Sequence, residues 1–524
     1  MSNTLTHENL LDYDQSLLRP PEHPDAFAGR HKFAYLALIA VAVVMALIIY
    51  TLSRGTSWEG ATAAGVLFGL AVMAVHAIHR LWSRPRNFLS PDLFYLLFYA
   101  MFHLSYLALW LLGIVETARN VFPMPHQYPL VMLIVNLAIL GFLFGYELAA
   151  PRRSLAPTSS VRRVPTVLWV VAGLALMILA LIIHLAYIFT VGLRTWVLYG
   201  YEVYARMERF VQYPRLWRVQ FHIFSLGFGV YITSVALRHR RLFKGKLGIS
   251  LFLFYLFLLV MEGGRTHLVT TGMILLLVRH FVIKPVKLRW LIILGLCALV
   301  AFTAIKLTRR TAAFNVPGMV DVLRRAQTAE ETHWYDPLVE MGSTVGTVNL
   351  TTMVVPRHQP YWYGRSYVQA ITHVVPYLSG ALVPYLGASP SSWLTYTHYG
   401  AGATSGTGFS IAAEGYLNFG LLGVFFHMAV IGLILRWIYA RFARSMSAAG
   451  TLVFIVAYGL FMITVRNHVN LLVSPLVRVV VLAWLLKSIC REEPAAEIES
   501  PEPASYEQPE ALPFGPEDVS YQGA

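Results

Sequence analysis

The sequence predicts an all-α protein that crosses a membrane about twelve times, and three observations carry that expectation. The chain is 57% hydrophobic and 13% charged, with a mean hydropathy of +0.58, which places it outside the range of soluble domains. Apolar stretches of membrane-crossing length recur from end to end. The loops between them alternate between strongly basic and less basic.

The twelve stretches fall at 33–53, 59–79, 91–114, 129–149, 166–191, 216–237, 247–262, 267–283, 290–308, 411–436, 449–466 and 471–489. The seventh is short and the tenth begins polar. A polar segment, 1–32, precedes them and lacks the pattern of a secretory signal. The loops HRLWSRPR, PRRSLAPTSSVRR, RHRRLFKGK, RHFVIKPVKLR and RWIYARFAR share one side under a single odd-even count. Positive charge is retained in the cytoplasm, so these loops and both termini are expected there. The outer side then receives 52–58, 115–128, 192–215, 262–267, 309–410 and 466–471. The expected organisation is a cytoplasmic tail (1–32), a polytopic membrane domain (33–490) and an acidic, Pro-rich, disordered tail (491–524). The net charge of +14 sits mainly in the short loops and sets orientation, so it does not call for nucleic acid. Cys297 and Cys490 fall toward opposite ends of their segments, which argues against a disulfide or a zinc site.

The long outer loop, 309–410, is the chief interruption, rich in Tyr, Trp, Pro, Gly and Thr. PGMVDVLRRAQTAEETHWYDPLVEMG reads as one or two surface helices, with Asp321, Arg324 and Arg325 on a helical period. ITHVVPYLSGALVPYLG is too short and too interrupted to span, and suits a re-entrant or interfacial element. After the loop, GTGFSIAAEGYLNFGLLG enters an apolar helix while carrying Glu414 and Asn418. Four residues apart, they share a helix face. A carboxylate and an amide at a membrane boundary are costly unless they face a cavity or a partner. This loop and the helix it feeds are therefore the expected roof and wall of an active site.

Several outer or near-outer arginines surround that region, among them Arg194, Arg206, Arg209, Arg265, Arg309, Arg310, Arg324, Arg325, Arg357, Arg365 and Arg466. A guanidinium holds phosphate oxygens two at a time. The chain carries 34 arginines and seven lysines, so the bias alone says little. Arg265, in MEGGRTH, follows two glycines that let a ligand approach. It could equally bridge to Glu262. Arg365, in WYGRSY, lies among aromatics that stack on sugars or anchor a loop. Glu414 is the candidate general base, or else a helix-start charge. Arg466 and His468 could close the same cavity, although His468 could simply face solvent. Arg478, inside the last span, must snorkel, pair or face water. His103, His184 and His222 read as packed polar residues.

Absences narrow the chemistry. There is no GxxxxGK[ST] motif for nucleotide hydrolysis. The sole DxD string, Asp12-Tyr13-Asp14, lies in the cytoplasmic tail, so a metal-dependent sugar transferase has no anchor. No intramembrane acidic chain suits a proton relay, which disfavours a coupled transporter.

GTGFSIAAEGYLNFGLLG, together with EMGSTVGTV, the 356–364 segment and YGRSYVQAITHVVP, resembles the bacterial O-antigen polymerases, the Wzy-type repeat-unit polymerases. The resemblance runs from about 160 to 485. It implies a metal-independent, cofactor-free glycosyltransferase of GT-C-like fold in the bacterial inner membrane, with its active site facing the periplasm. Such an enzyme moves a glycan from undecaprenyl diphosphate onto an incoming lipid-linked repeat unit. By loop position the resemblance makes Arg365 a candidate, and the residue reading adds Glu414 as base, His468 as its runner-up, and Arg265, which together form the expected catalytic set. By the same loop positions it makes Arg194, Arg206, Arg309 and Arg310 candidates for substrate contact, to which the residue reading adds Tyr363, Asn418 and Arg466. The implied partners are lipid-linked oligosaccharides, membrane lipids, a chain-length regulator and a repeat-unit flippase, with no nucleic acid. An O-antigen ligase, or a flippase of lipid-linked sugars, remains the alternative.

Overall fold

The computed structural model describes residues 26–53, 55–83, 88–116, 124–149, 163–205, 207, 210–212, 214–262, 265–311, 333, 335–375, 378–400, 406–445, 447–490 and 492–494. The described chain is almost wholly helical. Its helices are α1 (Ala26–Ser53), α2 (Trp58–Ser83), α3 (Pro91–His103), α4 (Ser105–Leu111), α5 (Tyr128–Leu148), α6 (Val167–Val191) and α7 (Leu193–Ala205). There follow α8 (Pro214–His239), α9 (Gly245–Met261), α10 (Arg265–Val278), α11 (Leu288–Thr311), α12 (Asp336–Gly342), α13 (Val345–Val354), α14 (Arg365–Thr372) and α15 (Leu378–Leu386). The last are α16 (Pro390–Tyr399), α17 (Ile411–Ser445), α18 (Ala448–Thr464) and α19 (Asn470–Cys490).

Eight of the described helices are long and apolar enough to cross a membrane, against the twelve expected. The four other expected spans also fall on helices. α3 and α4 form a pair bent by 59° at Leu104. α9 and α18 are apolar helices of 17 residues each, and α11 is apolar over Leu288–Leu299. All twelve expected spans fall on helices. The protein is a multi-pass membrane protein.

Packing centres on two helix pairs, α5 with α17 and α6 with α8. Small residues bring the first pair into backbone contact. A Cβ on Gly145 would collide with the Ala429 carbonyl, and one on Gly432 with the Phe142 carbonyl. In a bilayer, where apolar burial does not drive helices together, such close approach supplies the association. α5 is accordingly almost entirely buried.

Two three-residue strands, β1 (Arg163–Pro165) and β2 (Glu492–Pro494), pair antiparallel with Val164 opposite Glu493. The segment expected to be disordered from 491 therefore begins with an ordered strand. Thr166 Oγ1 donates to the Cys490 carbonyl at 2.6 Å beside it. Cys297 and Cys490 are both free.

Where it is described, the 309–410 loop carries α12 to α16 and the last three residues of α11, with non-helical segments at 355–364, 387–389 and 406–410. The expected helix around Asp321, Arg324 and Arg325 lies outside the described residues. ITHVVPYLSGALVPYLG forms the end of α14 and all of α15, with Val375, Val383 and Tyr385 exposed, as an interfacial element requires.

Candidate functional site

α17 is not one straight helix. Phe419 and Gly420 leave helical geometry, and Gly420 sits at φ +65°, a conformation glycine adopts at no steric cost. The 411–418 turns fold back on the helix that follows. A Cβ on Gly415 would lie 2.8 Å from Val424 Cα and 3.2 Å from His427 Cβ. On a straight helix residues 415 and 424 would be about 13 Å apart along the axis. Ser410 caps the short arm. Its hydroxyl accepts from the Ala412 amide at 3.2 Å and lies 2.7 Å from His103 Nε2.

The break frees backbone carbonyls, and the 362–366 turn satisfies them. The Trp362 amide donates to the Leu417 carbonyl at 2.9 Å, and the Tyr363 amide to the Asn418 carbonyl at 3.1 Å. Asn418, fully buried, spends its side chain on the same junction. Its Oδ1 accepts from the Gly364 amide at 3.0 Å. Its Nδ2 donates to Ser366 Oγ at 2.8 Å and to the Glu414 carbonyl at 2.9 Å. Tyr363 and Gly364 take φ of 47° and 88°, so the chain reverses sharply before α14 begins at Arg365.

This turn presents Arg365 in a defined setting. Its guanidinium carbon lies 3.8 Å from the Trp362 ring centroid, a cation–π stack. It also lies against Gly387, where a Cβ would sit 3.8 Å from the guanidinium carbon. The Gln369 amide donates to the carbonyls of Leu386, Gly387 and Ala388 and so fixes that wall. No carboxylate pairs with Arg365 among the described residues. Burial lowers the affinity of its guanidinium for a proton, with no acid to oppose that shift.

Glu414 stands on the short arm with no exposed surface and no cationic partner among the described residues. Its Oε2 accepts from the Val469 amide at 2.7 Å, and the Ser366 hydroxyl faces the same carboxyl. His468 is the residue before that amide. Its Nε2 lies 3.3 Å from Ser391 Oγ, so it is a packed residue with a partner and does not face solvent. Burial pushes its pKa down to about 4, the charge of nearby His373 adds to the effect, and a bond with Asn470 opposes it. The ring is neutral at physiological pH, and its burial makes it a weaker proton acceptor than a free imidazole. Arg466 reaches toward Gly408, where a Cβ would lie 3.6 Å from its Nε.

The structure thus brings Glu414, Asn418, Arg365, Tyr363, His468 and Arg466 to one region. Tyr363 is 72% exposed at its rim. Arg194 sits exposed on α7, among other helices. Arg206 and the side chains of Arg265, Arg309 and Arg310 lie outside the described residues. Glu262, the possible partner for Arg265, takes other partners. Its Oε1 accepts from Trp196 Nε1 at 3.1 Å and lies 3.2 Å from His184 Nε2.

Sequence reasoning missed Ser366, Tyr367, Ser391 and His427. Tyr367 Oη lies 2.8 Å from His427 Nδ1, and the two rings stack at 5.4 Å. Burial raises the Tyr367 pKa, with the charge of Glu414 adding to it, so the phenol keeps its proton. At 100° per residue, His427 projects about 220° away from Glu414 on a continuous helix. Only the break at 419–420 turns His427 toward this region. The Phe-Gly pair inside an apolar run was its one sequence signal.

Among the described residues, no group of three His, Cys, Asp or Glu side chains could hold a metal ion. What the region can do chemically is hold an anion on a cation with no acid beside it, and accept a proton at a nearby carboxylate or imidazole.

Among curated proteins and solved structures, none matches the chain. Residues 33–493 match the family described as O-antigen polysaccharide polymerase Wzy. The match covers most of the sequence, and the chain belongs to that family.

Proposed function

We propose that this protein polymerises oligosaccharide repeat units carried on undecaprenyl diphosphate, at the periplasmic face of the bacterial inner membrane, without a metal ion. The observation that carries the reading is the pairing of an acid-free arginine, Arg365, with a cation-free carboxylate, Glu414, on two segments tied together by Asn418. In the proposed reaction, the acceptor sugar hydroxyl attacks the anomeric carbon of the donor glycan. The new bond is C–O, the broken bond joins that carbon to the diphosphate oxygen, and the electron pair leaves with the diphosphate. Arg365 stabilises the charge growing on this leaving group. Glu414 takes the hydroxyl proton, with His468 as the second candidate. Arg466 and Tyr363 contact the sugar-phosphate chain at the rim.

The periplasmic assignment is supported by the alternation of basic loops. Reporter fusions at Ala329 and at Ser160 are expected on opposite sides of the membrane, and fusions that both report the cytoplasm would reject the orientation. The decisive assay incubates purified protein with one defined lipid-linked repeat unit and resolves the product on a gel. A ladder spaced by one repeat unit, unchanged by EDTA, is expected. Transfer of a single unit without a ladder would reject polymerisation, and loss with EDTA restored by a divalent cation would reject metal independence.

A further inference from the structure

Arg478 lies inside α19, eight residues beyond Asn470 and therefore about 12 Å along the helix. An arginine at such depth in a span is held there by a partner or a use. No carboxylate pairs with it among the described residues. Its Nη2 instead donates to Ser474 Oγ at 2.8 Å, one turn toward the end of the helix where His468 and Glu414 lie. Ser474 Oγ donates in turn to the His373 carbonyl at 3.0 Å, where α14 ends. The helix that starts with Arg365 is thus tied at its other end to the serine that orients Arg478.

His222 lies within electrostatic reach of the guanidinium. The His222 ring meets His267 edge-on at 6.4 Å, and His267 stacks on Phe221 at 4.4 Å, which makes an aromatic wall from α8 and α10. Arg478 itself remains exposed at the protein surface, among apolar neighbours on α19 that face the bilayer. A fixed, acid-free cation reached from the bilayer has the chemistry to take an anionic lipid headgroup.

We propose that Arg478 and His222 form a second headgroup site, separate from Arg365, which takes the diphosphate of a polyprenyl lipid. This rests on the polymerase reading, because joining two lipid-linked units requires two diphosphate lipids on the protein at once. Arg365 holds the leaving group of the donor; Arg478 holds the diphosphate that stays attached to the acceptor. A guanidinium suits both, since each diphosphate offers several oxygens to a bidentate donor.

The same chemistry would take an ordinary anionic phospholipid, so the test separates the two. Sugar-free undecaprenyl diphosphate is titrated onto the purified full-length protein, and the lipids retained per chain are counted by native mass spectrometry. Two are expected for wild type, one for Arg478→Gln and one for Arg365→Gln. A tenfold excess of phosphatidylglycerol is expected not to displace the lipid that Arg478→Gln loses. Two lipids retained by Arg478→Gln, one retained by wild type, or displacement by phosphatidylglycerol would each overturn the proposal. Should Arg478→Gln fail to give monodisperse protein, Arg478→Lys keeps a charge for the bilayer, and at least tenfold weaker binding of the second lipid is expected. Unchanged binding by that variant would overturn the proposal as well. A wild type that binds two lipids yet makes no ladder would instead reject the polymerase reading and leave the site standing.

Discussion

Two polar regions lie at the two ends of α3, and they treat charge in opposite ways. At its first turn, Asp92 joins a closed set. Asp92 Oδ2 lies 2.6 Å from Arg80 Nε and 3.1 Å from His76 Nε2. Arg80 also pairs with Glu147, and Tyr35 Oη bonds His76 Nδ1. Arg436 stacks over the Tyr146 ring at 5.1 Å beside them. At the far end, His103 meets Ser410, and beyond it Glu414 and Arg365 stand without countercharges among the described residues. A buried ion set that is complete mainly holds helices in register, and removing one member leaves another uncompensated. An incomplete set is costly to the fold and leaves capacity for a ligand. On the proposed reading, the contrast puts stability at one end and chemistry at the other.

The largest expected effect tests the closed set. Arg80→Ala leaves Asp92 and Glu147 buried without their cation, at a cost of about 3–5 kcal/mol. Membrane abundance and unfolding temperature should collapse, while any protein that survives keeps its activity per molecule. Normal abundance with selective loss of polymer would move the functional end to the wrong place. Next comes the open set. Arg365→Lys keeps the charge and loses the bidentate fork, and Glu414→Gln keeps the shape and loses the base. Each should lower turnover about 10²–10³-fold at normal abundance, on the scale of one lost transition-state donor. Gel ladders normalised to protein amount decide it, and normal ladders for both would return these residues to a purely structural role.

The contrast was half legible in the sequence. Apolar length and basic loops reveal a polytopic helical protein because bilayer thickness and loop charge act on composition directly. Glu414 and Asn418 were legible because polar residues are conspicuous in an apolar run. The separate roles of the two were not. Asn418 was expected to contact substrate, whereas its amide is spent on Gly364, Ser366 and the Glu414 carbonyl. That assignment depends on the break after Asn418, which cancels helical periodicity and joins Asn418 to Gly364 and Ser366, 54 and 52 residues earlier. The closed set was invisible for a similar reason. His76, Arg80, Asp92 and Glu147 come from three helices, and no spacing in the sequence brings them together.

A smaller effect concerns pH at the open end. His468 has a folded pKa of about 4 against an ordinary 6.5. The unfolded chain therefore binds the proton more readily, and stability rises with pH across that interval. The contribution is fully present above about pH 6.5 and falls away as pH drops toward 4, reaching a loss of about 2 kcal/mol near pH 5. Unfolding temperature followed from pH 7 to pH 5 should drop more steeply for wild type than for His468→Gln. Equal slopes would mean that the imidazole is not held neutral by the fold.

The smallest expected effect separates Arg365 from the residue that positions it. Asn418 touches no open surface, yet it bonds the amide before Arg365 and the hydroxyl after it. If it acts through Arg365, Asn418→Ala should let the guanidinium wander from the Trp362–Gly387 slot and reduce turnover by about tenfold, since misplacing a transition-state donor forfeits part of its stabilisation. A packing defect alone would lower the unfolding temperature and leave turnover per folded molecule intact. The double-mutant cycle distinguishes the two. With Arg365 already replaced by alanine, nothing remains for Asn418 to position, and the further loss in turnover from Asn418→Ala should be less than about twofold. A full tenfold loss in both backgrounds would show that Asn418 serves Glu414 or the substrate independently of Arg365. The break in α17 would then be a support for the carboxylate, with the arginine turn held by other contacts.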